Sequence, residues 1–341
     1  MNIIKEKRFF VVGSQAKGAL EYSYINAFRE LKLDLEVFDP VKEQRQYLKG
    51  GKVGRMVHAF LPVEQWTRKM NRELILSVKK FNPEIILLFT NVKVLPGTLA
   101  CIKTMLPTIK IAWIWPDTPF NLETHNFLNA ALIDITASYS KAAVPVFARL
   151  GFKNIHWVPL AGDPFMHGIH EPPDDFASDI CFIGGWRPER EKMMSVICQH
   201  FAESRIEIHG PNWEKKSEDS EIRKRVKSEG VYEAELAKCF NKSRININVI
   251  DDTNYPAANM RFFEIPTAFG LQLSSACPEQ EHLFRNREHA LYFQSESDLV
   301  NQVKWALSQP EECQRIRKNA HSLLMESNTY THRLQMILYH I

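Results

Sequence analysis

The sequence predicts an α/β protein built as two doubly wound parallel sheets with helices on both faces. Two observations carry that reading. Short β-branched or aromatic runs alternate with amphipathic helical stretches along most of the chain, which is the rhythm of βαβ units. The rhythm breaks once, in a polar, proline-bearing stretch near the middle, and 341 residues suffice for about two domains.

The first half opens with Phe9, Phe10, Val11 and Val12, followed by a helical pattern over 22–31 and a strand at 35–38. Further strands are expected at 85–89, 110–114, 133–137 and 155–158. Between 38 and 85 lies a basic helical region containing Lys49-Gly50-Gly51-Lys52, read as a solvated helix pair or an inserted flap. The stretch 164–179, with Pro164, Pro172 and Pro173 and little apolar content, reads as a linker. Beyond it strands are expected at 180–183, 206–209, 245–249, 271–274 and 291–293. The expected division is an N-terminal domain at 1–165, a C-terminal domain at 176–325 and a closing helix at 326–341. A ligand is expected in the cleft between the two domains.

Composition excludes several classes. Forty-three Lys and Arg against 40 Asp and Glu give a formal charge of only +3, far from the basic excess of a dedicated nucleic-acid binder. Six cysteines are scattered without a CxxC pair, which suits a reducing compartment. The longest strongly apolar stretch, 85–92, is too short for a spanning helix, and no secretory h-region follows the basic start. The expected location is the cytoplasm. The basic 49–55 region is the candidate for peripheral contact with a membrane.

Gly13-Ser14-Gln15-Ala16-Lys17-Gly18 after the first strand begins like a phosphate-binding P-loop. Ala19 and Leu20 replace the required Lys and Ser or Thr, and the glycine spacing also misses the dinucleotide fingerprint. Gly13 is read instead as a close backbone approach to a ligand, or as a tight turn. The second half opens on a strand ending in Gly184-Gly185, then Trp186-Arg187-Pro188-Glu189-Arg190. Proline in the first helical turn and glycines before it leave backbone N–H groups for an anion, with Arg187, Arg190 and Lys192 as nearby cations. This has the character of a diphosphate site, with Arg190 the preferred ligand and Arg187 second. A solvated helix start paired with Glu189 and Glu191 is the alternative. Further on, Asn259-Met260-Arg261-Phe262-Phe263-Glu264 predicts a helix with Arg261 and Glu264 on one face, stopped by Gly270 before a strand carrying Ser274 and Ser275. Glu264 is a candidate for the ribose hydroxyls, with a helix ion pair as the other reading. The pairs His167/His170 and Cys198/His200 lack further ligands nearby, and no metal is assigned to them. Trp113, Trp115 and Phe120 follow one another around a strand end, as sugar-stacking or core side chains.

Taken together, Gly184-Gly185 with Arg190, the turn His209-Gly210-Pro211-Asn212-Trp213, the Arg261-to-Pro266 helix and the closing Asn328-Thr329-Tyr330-Thr331-His332-Arg333-Leu334 resemble the CgeB-like, spore-maturation-type glycosyltransferases. The resemblance covers 179–341 closely and the first half in outline, through Trp115-Pro116-Asp117-Thr118 and the stretch 139–163. It implies a GT-B fold, two Rossmann-like domains facing a central cleft, with a nucleotide-sugar donor on the second and the acceptor on the first. It further implies that Arg190 and the Gly184 and Gly185 amides bind the diphosphate, Glu264 the ribose, and Ser274 and Ser275 a phosphate. Asn259, Arg261, His209 and Gly210 belong to the same donor motifs. Metal independence is implied too, with no cofactor beyond the nucleotide sugar, in keeping with the lack of a DxD cluster at a strand end. In the wider retaining group a glutamate stands eight positions before the one matching Glu264; here that position is Pro256, so either Asp251, Asp252 or Asn254 takes the sugar contact or the donor sugar is read differently.

The implied reaction makes a nucleoside diphosphate leave an anomeric carbon, so cations and amides must meet the charge growing on the β-phosphate. Arg187 and Arg190 are therefore catalytic candidates as well. For an inverting course Asp117 is the candidate base, with His58 and His125 weaker. The acceptor is read as a glycan, a lipid-linked precursor, a protein or a small molecule. Two other readings stand beside this one: a catalytically silent nucleotide-sugar-binding assembly factor, and a GT-B-type sugar-nucleotide 2-epimerase.

Overall fold

A computed structural model describes residues 6–47, 51–60, 64–89 and 93–341. The chain divides into two compact units, 1–158 with 333–341, and 159–332.

In the first unit the strands are β1 (Arg8–Val12), β2 (Asp34–Phe38), β3 (Ile85–Phe89), β4 (Lys110–Trp115), β5 (Ile135–Ser138) and β6 (Ile155–Trp157). They pair in parallel in the order β2-β1-β3-β4-β5-β6. A parallel sheet covered on both faces needs strands that are apolar at successive positions, and all five residues of β3 are buried. From β1, Phe10 and Val12 enter a core with Met70, Leu74 and Val78 of the helix Glu64–Phe81 and with Leu99 and Ile102 of the helix Pro96–Met105. Successive strand residues face opposite ways, so Phe9 meets Phe28 of the helix Leu20–Glu30, with ring centroids 5.2 Å apart.

In the second unit the strands are β7 (Ser178–Ile183), β8 (Ile206–His209), β9 (Val226–Ser228), β10 (Ser243–Asn248), β11 (Gln272–Ser275) and β12 (Leu291–Phe293). Their order is β12-β11-β10-β7-β8-β9, again all parallel. Ile180 and Phe182 pack with Met194 and Ile197 of the helix Pro188–His200, whereas Cys181 and Ile183 pack on the other face with Leu236, Phe240 and Ile265.

Strand β9 was not anticipated. It has three residues and only Val226 is apolar among them, so it carries no hydrophobic run to read. The helix expected to stop at Gly270 spans Arg261–Thr267 and turns out of helical geometry at Phe269, with φ 58°. Gly270 serves another purpose: a Cβ there would lie 2.9 Å from Asn246 and from the Ile265 side chain, so the residue allows close packing of helix and strand. Part of the predicted linker is ordered as the helix Pro164–His167, capped by Asp163. No described helix is long and apolar enough to cross a membrane.

Candidate functional site

In the second sheet the chain runs outward from β7 to β8 and β9, then returns to β10 on the other side. Strands β7 and β10 therefore form the switch point, beyond whose carboxyl ends open α/β sheets bind ligands. The loop Gly184–Pro188 leaves β7 there. Its Gly184 carbonyl accepts from Trp213 Nε1 at 2.7 Å, and its Trp186 N–H donates to the Pro211 carbonyl at 3.0 Å. Gly210, at φ 148°, lies against it so closely that a Cβ would stand 2.0 Å from the Gly184 oxygen. Only glycine fits such an approach. The turn from His209 to Trp213 is thus the support of the glycine loop. One expectation changes: the Gly184 N–H donates to the His209 carbonyl at 2.9 Å and is not an amide offered to a ligand. The His209 ring is turned to Ser228, Nδ1 to Oγ 3.0 Å, and burial draws its pKa below the usual range.

Arg187 is the N-cap of the helix Pro188–His200, and its side chain makes no capping hydrogen bond. An uncapped N-terminus carries partial positive charge toward this loop. Two guanidiniums add to it, in unequal states. Arg190 is largely enclosed; its Nη1 donates to the Gly185 carbonyl at 2.9 Å and its Nη2 to Asp251 Oδ2 at 2.7 Å. Arg187 is 46% exposed and reaches the same Oδ2 only through Nε, at 3.4 Å. The sequence reading prefers Arg190 as the phosphate ligand; in the structure both of its terminal nitrogens bond the protein while its buried Nε has no protein partner, and Arg187 is the more exposed of the two cations. Asp251 itself is buried. Burial alone would raise its pKa, but hydrogen bonds from Thr253 and Asn254 and the charges of Arg190 and Arg187 outweigh it and hold the carboxyl below the usual range.

The helix Arg261–Thr267 closes the other side. Arg261 Nε donates to the Ile183 carbonyl at 3.2 Å, and its Nη1 pairs with the buried Glu264 carboxylate. Beside it Asn248 and Asn259 exchange amide hydrogen bonds of 3.1 and 2.9 Å. Ser274 Oγ accepts from Asn248 Nδ2 at 3.3 Å, and Ser275 Oγ from the Ile250 N–H at 2.9 Å. The predicted donor residues Gly184, Gly185, Arg187, Arg190, Asn259, Arg261, Glu264, Ser274 and Ser275 thus meet around one set of strand ends. Asp251, which the sequence offered only as a substitute sugar contact, joins them as the counter-ion. Among the described residues, no group of three His, Cys, Asp or Glu is placed to hold a metal ion.

The remaining candidates lie in the first unit. Asp117 accepts from the Thr118 N–H and from Asn121 Nδ2, both at 2.7 Å, as a turn aspartate does. Trp113 and Trp115 are core side chains, and Phe120 is exposed. The side chain of His58 and the residues Lys49 and Gly50 lie outside the described residues. Gly13 directly follows β1, and a Cβ on it would stand 2.6 Å from Glu21 Cγ. Glu21, which sequence reasoning missed, is folded over that glycine. Burial raises its pKa against the opposing hydrogen bonds from its own and the Ser14 backbone.

Residues 190–339, less than half of the chain, match the glycosyl transferase-like family. No curated protein sequence matches the chain. Among solved structures, HepE from Anabaena in complex with UDP-glucose aligns with a TM-score of 0.66 at 10% identity, over 98% of this chain and 99% of that one. A glycosyltransferase from Rickettsia africae gives 0.69 at 9% identity, over 98% and 97%. The sucrose-phosphate synthase of Thermosynechococcus elongatus gives 0.64 at 13%, over 98% of each. At such identities the likeness carries the fold, which is GT-B.

Proposed function

We propose that the protein is a glycosyltransferase of the CgeB-like kind, which takes a sugar from a nucleoside-diphosphate donor without a metal ion. One observation carries the reading: an exposed arginine and an uncapped helix N-terminus converge on a glycine loop at the switch point of β7 and β10, within reach of a buried glutamate. In this reading Arg187 and the helix N-terminus stabilise the charge that grows on the β-phosphate as the anomeric bond breaks. Glu264, with Arg261, takes the ribose; Ser274, Ser275 and Asn259 shape the phosphate side of the pocket. Asp117 is the proposed base for an inverting course, on an acceptor bound by the first unit. The family match of the second half supports the class of reaction. HepE is described with UDP and with UDP-glucose, which makes UDP the first probe here.

The test is calorimetry of the purified chain against UDP, dTDP, GDP and ADP in the presence of a chelator. One nucleoside diphosphate should bind saturably. Arg187→Ala and Glu264→Ala should each weaken it roughly 10-fold or more, the worth of a charge-assisted hydrogen bond. Silence toward all four in a folded sample would sink the donor-site reading, and saturable binding without any turnover of a sugar donor would favour the assembly factor.

A further inference from the structure

Arg190 and Asp251 are 61 positions apart and meet across the switch point at 2.7 Å. The Asp251 carboxylate is fully used. Its Oδ1 accepts from Thr253 Oγ1 at 2.6 Å, from Asn254 Nδ2 at 2.7 Å and from the Asn254 N–H at 3.2 Å. Its Oδ2 faces the two arginines. One oxygen therefore shapes the loop that follows β10, and the other fixes the cations of the loop that follows β7. The two arginine side chains are 14% and 46% exposed. An anion arriving in this place finds Arg187 held at one long contact and Arg190 held at two short ones.

Resting on the donor-site reading above, we infer that Asp251 is the positioning residue of the diphosphate site. Its carboxylate locks Arg190 under the glycine loop, and that lock holds the loop in the form in which Arg187 can meet the second phosphate of the ligand. Asp251 touches no ligand in this scheme. It acts through Arg190, and Arg187 exchanges its single contact with Oδ2 for the phosphate. Arg190 spans two acceptors, the Gly185 carbonyl and Asp251, with the two terminal nitrogens of one rigid planar fork, a geometry that the flexible, single-nitrogen ammonium of lysine does not reproduce.

The experiment compares the best-binding nucleoside diphosphate with its own monophosphate, by calorimetry, in the full chain. The readout is the factor by which the second phosphate raises affinity. Asp251→Asn keeps an Oδ1 acceptor for Thr253 and Asn254 but turns a donor toward Arg190. That variant should lose roughly 10-fold or more of the second-phosphate factor while its monophosphate affinity stays near wild type. Arg190→Lys, which retains the charge, should show the same selective loss and guards against misfolding of the first variant. An unchanged factor in both folded variants would overturn the inference and leave Asp251 a purely structural residue. Tighter diphosphate binding by Asp251→Asn would overturn it too, since the carboxylate would then be only a competing anion. Wild-type protein silent to every nucleoside diphosphate would instead remove the donor site itself, and the inference with it.

Discussion

Glu21 sits in the first turn of the helix after β1, where backbone N–H groups favour an anion, yet its pKa is raised because burial against Gly13 outweighs them. The sign of the consequence follows from linkage. A carboxyl with a raised folded pKa holds its proton where the unfolded chain has already released it, so stability falls as pH climbs from the ordinary carboxylate range through the folded value. Above that window the cost is constant. Glu21→Gln should therefore melt higher than wild type at pH 7 to 8, with the gap closing toward pH 4. A thermal-melt series over that range checks it, and a gap independent of pH would refute it. Such a residue is hard to read from sequence, because Glu in a first helical turn is ordinarily an exposed charge. The residues of the glycine loop are more legible. Glycines before Pro188, with cations after them, read as an anion site by local chemistry alone. Which of Arg187 and Arg190 is the more exposed was not legible, since the answer depends on Asp251, which arrives from the loop after another strand.

At the scale of the elements, the turns and ends decide more than the strands. Arg317, on the helix Pro310–Ser327, is almost completely buried, and burial pulls its pKa down to about 10. Its Nη2 donates to the Ser243 and Arg244 carbonyls at 2.6 and 2.8 Å, and its Nη1 to Asn241 and Phe269 at 3.4 Å. One guanidinium thus serves the end of the helix Glu233–Asn241, the start of β10 and the turn after the helix Arg261–Thr267. Arg317→Ala leaves buried carbonyls without a donor and a cavity in their place, so it should cost about 3 kcal/mol or more, read as a lower urea midpoint. A midpoint within experimental error of wild type would mean that water replaces the side chain. The sequence shows Arg317 only as one more charge in an amphipathic helix, one position after Ile316. Central strands such as β3 were visible because a parallel strand buried on both faces is apolar at successive positions, and the edge strand β2 through its alternation of exposed and apolar residues. The strand missed, Val226–Ser228, lies at the edge beside β8 alone, where that requirement is relaxed.

At the scale of the whole chain, two parallel sheets solve the same burial problem with different strand orders, and their switch points fall at β1/β3 and β7/β10. The residues collected around β7 and β10 all belong to the unit 159–332, including Asp251, Arg261 and Glu264. The order of strands in each sheet was not written in the hydrophobic pattern, which gives strands and helices but not which side the chain takes on returning; in the structure the glycine loops after β1 and β7 each lie at a switch point. A nucleotide held by one unit should stabilise that unit by mass action, by about 2.7 kcal/mol at 100-fold excess over its dissociation constant. For a unit of this size that amounts to roughly 5 to 10 °C in its melting temperature. The prediction is a calorimetric trace with two transitions, only one of which moves when the nucleoside diphosphate is added. Hydrogen exchange then assigns the moved transition: protection should grow at the ends of β7, β10 and β11 and in the helix Arg261–Thr267, and stay unchanged in β1 to β6. Equal protection across both sheets would show that the nucleotide binds through the two units together, and Gly13 and Glu21, at the end of β1, would then be the first residues to examine for a contact with it.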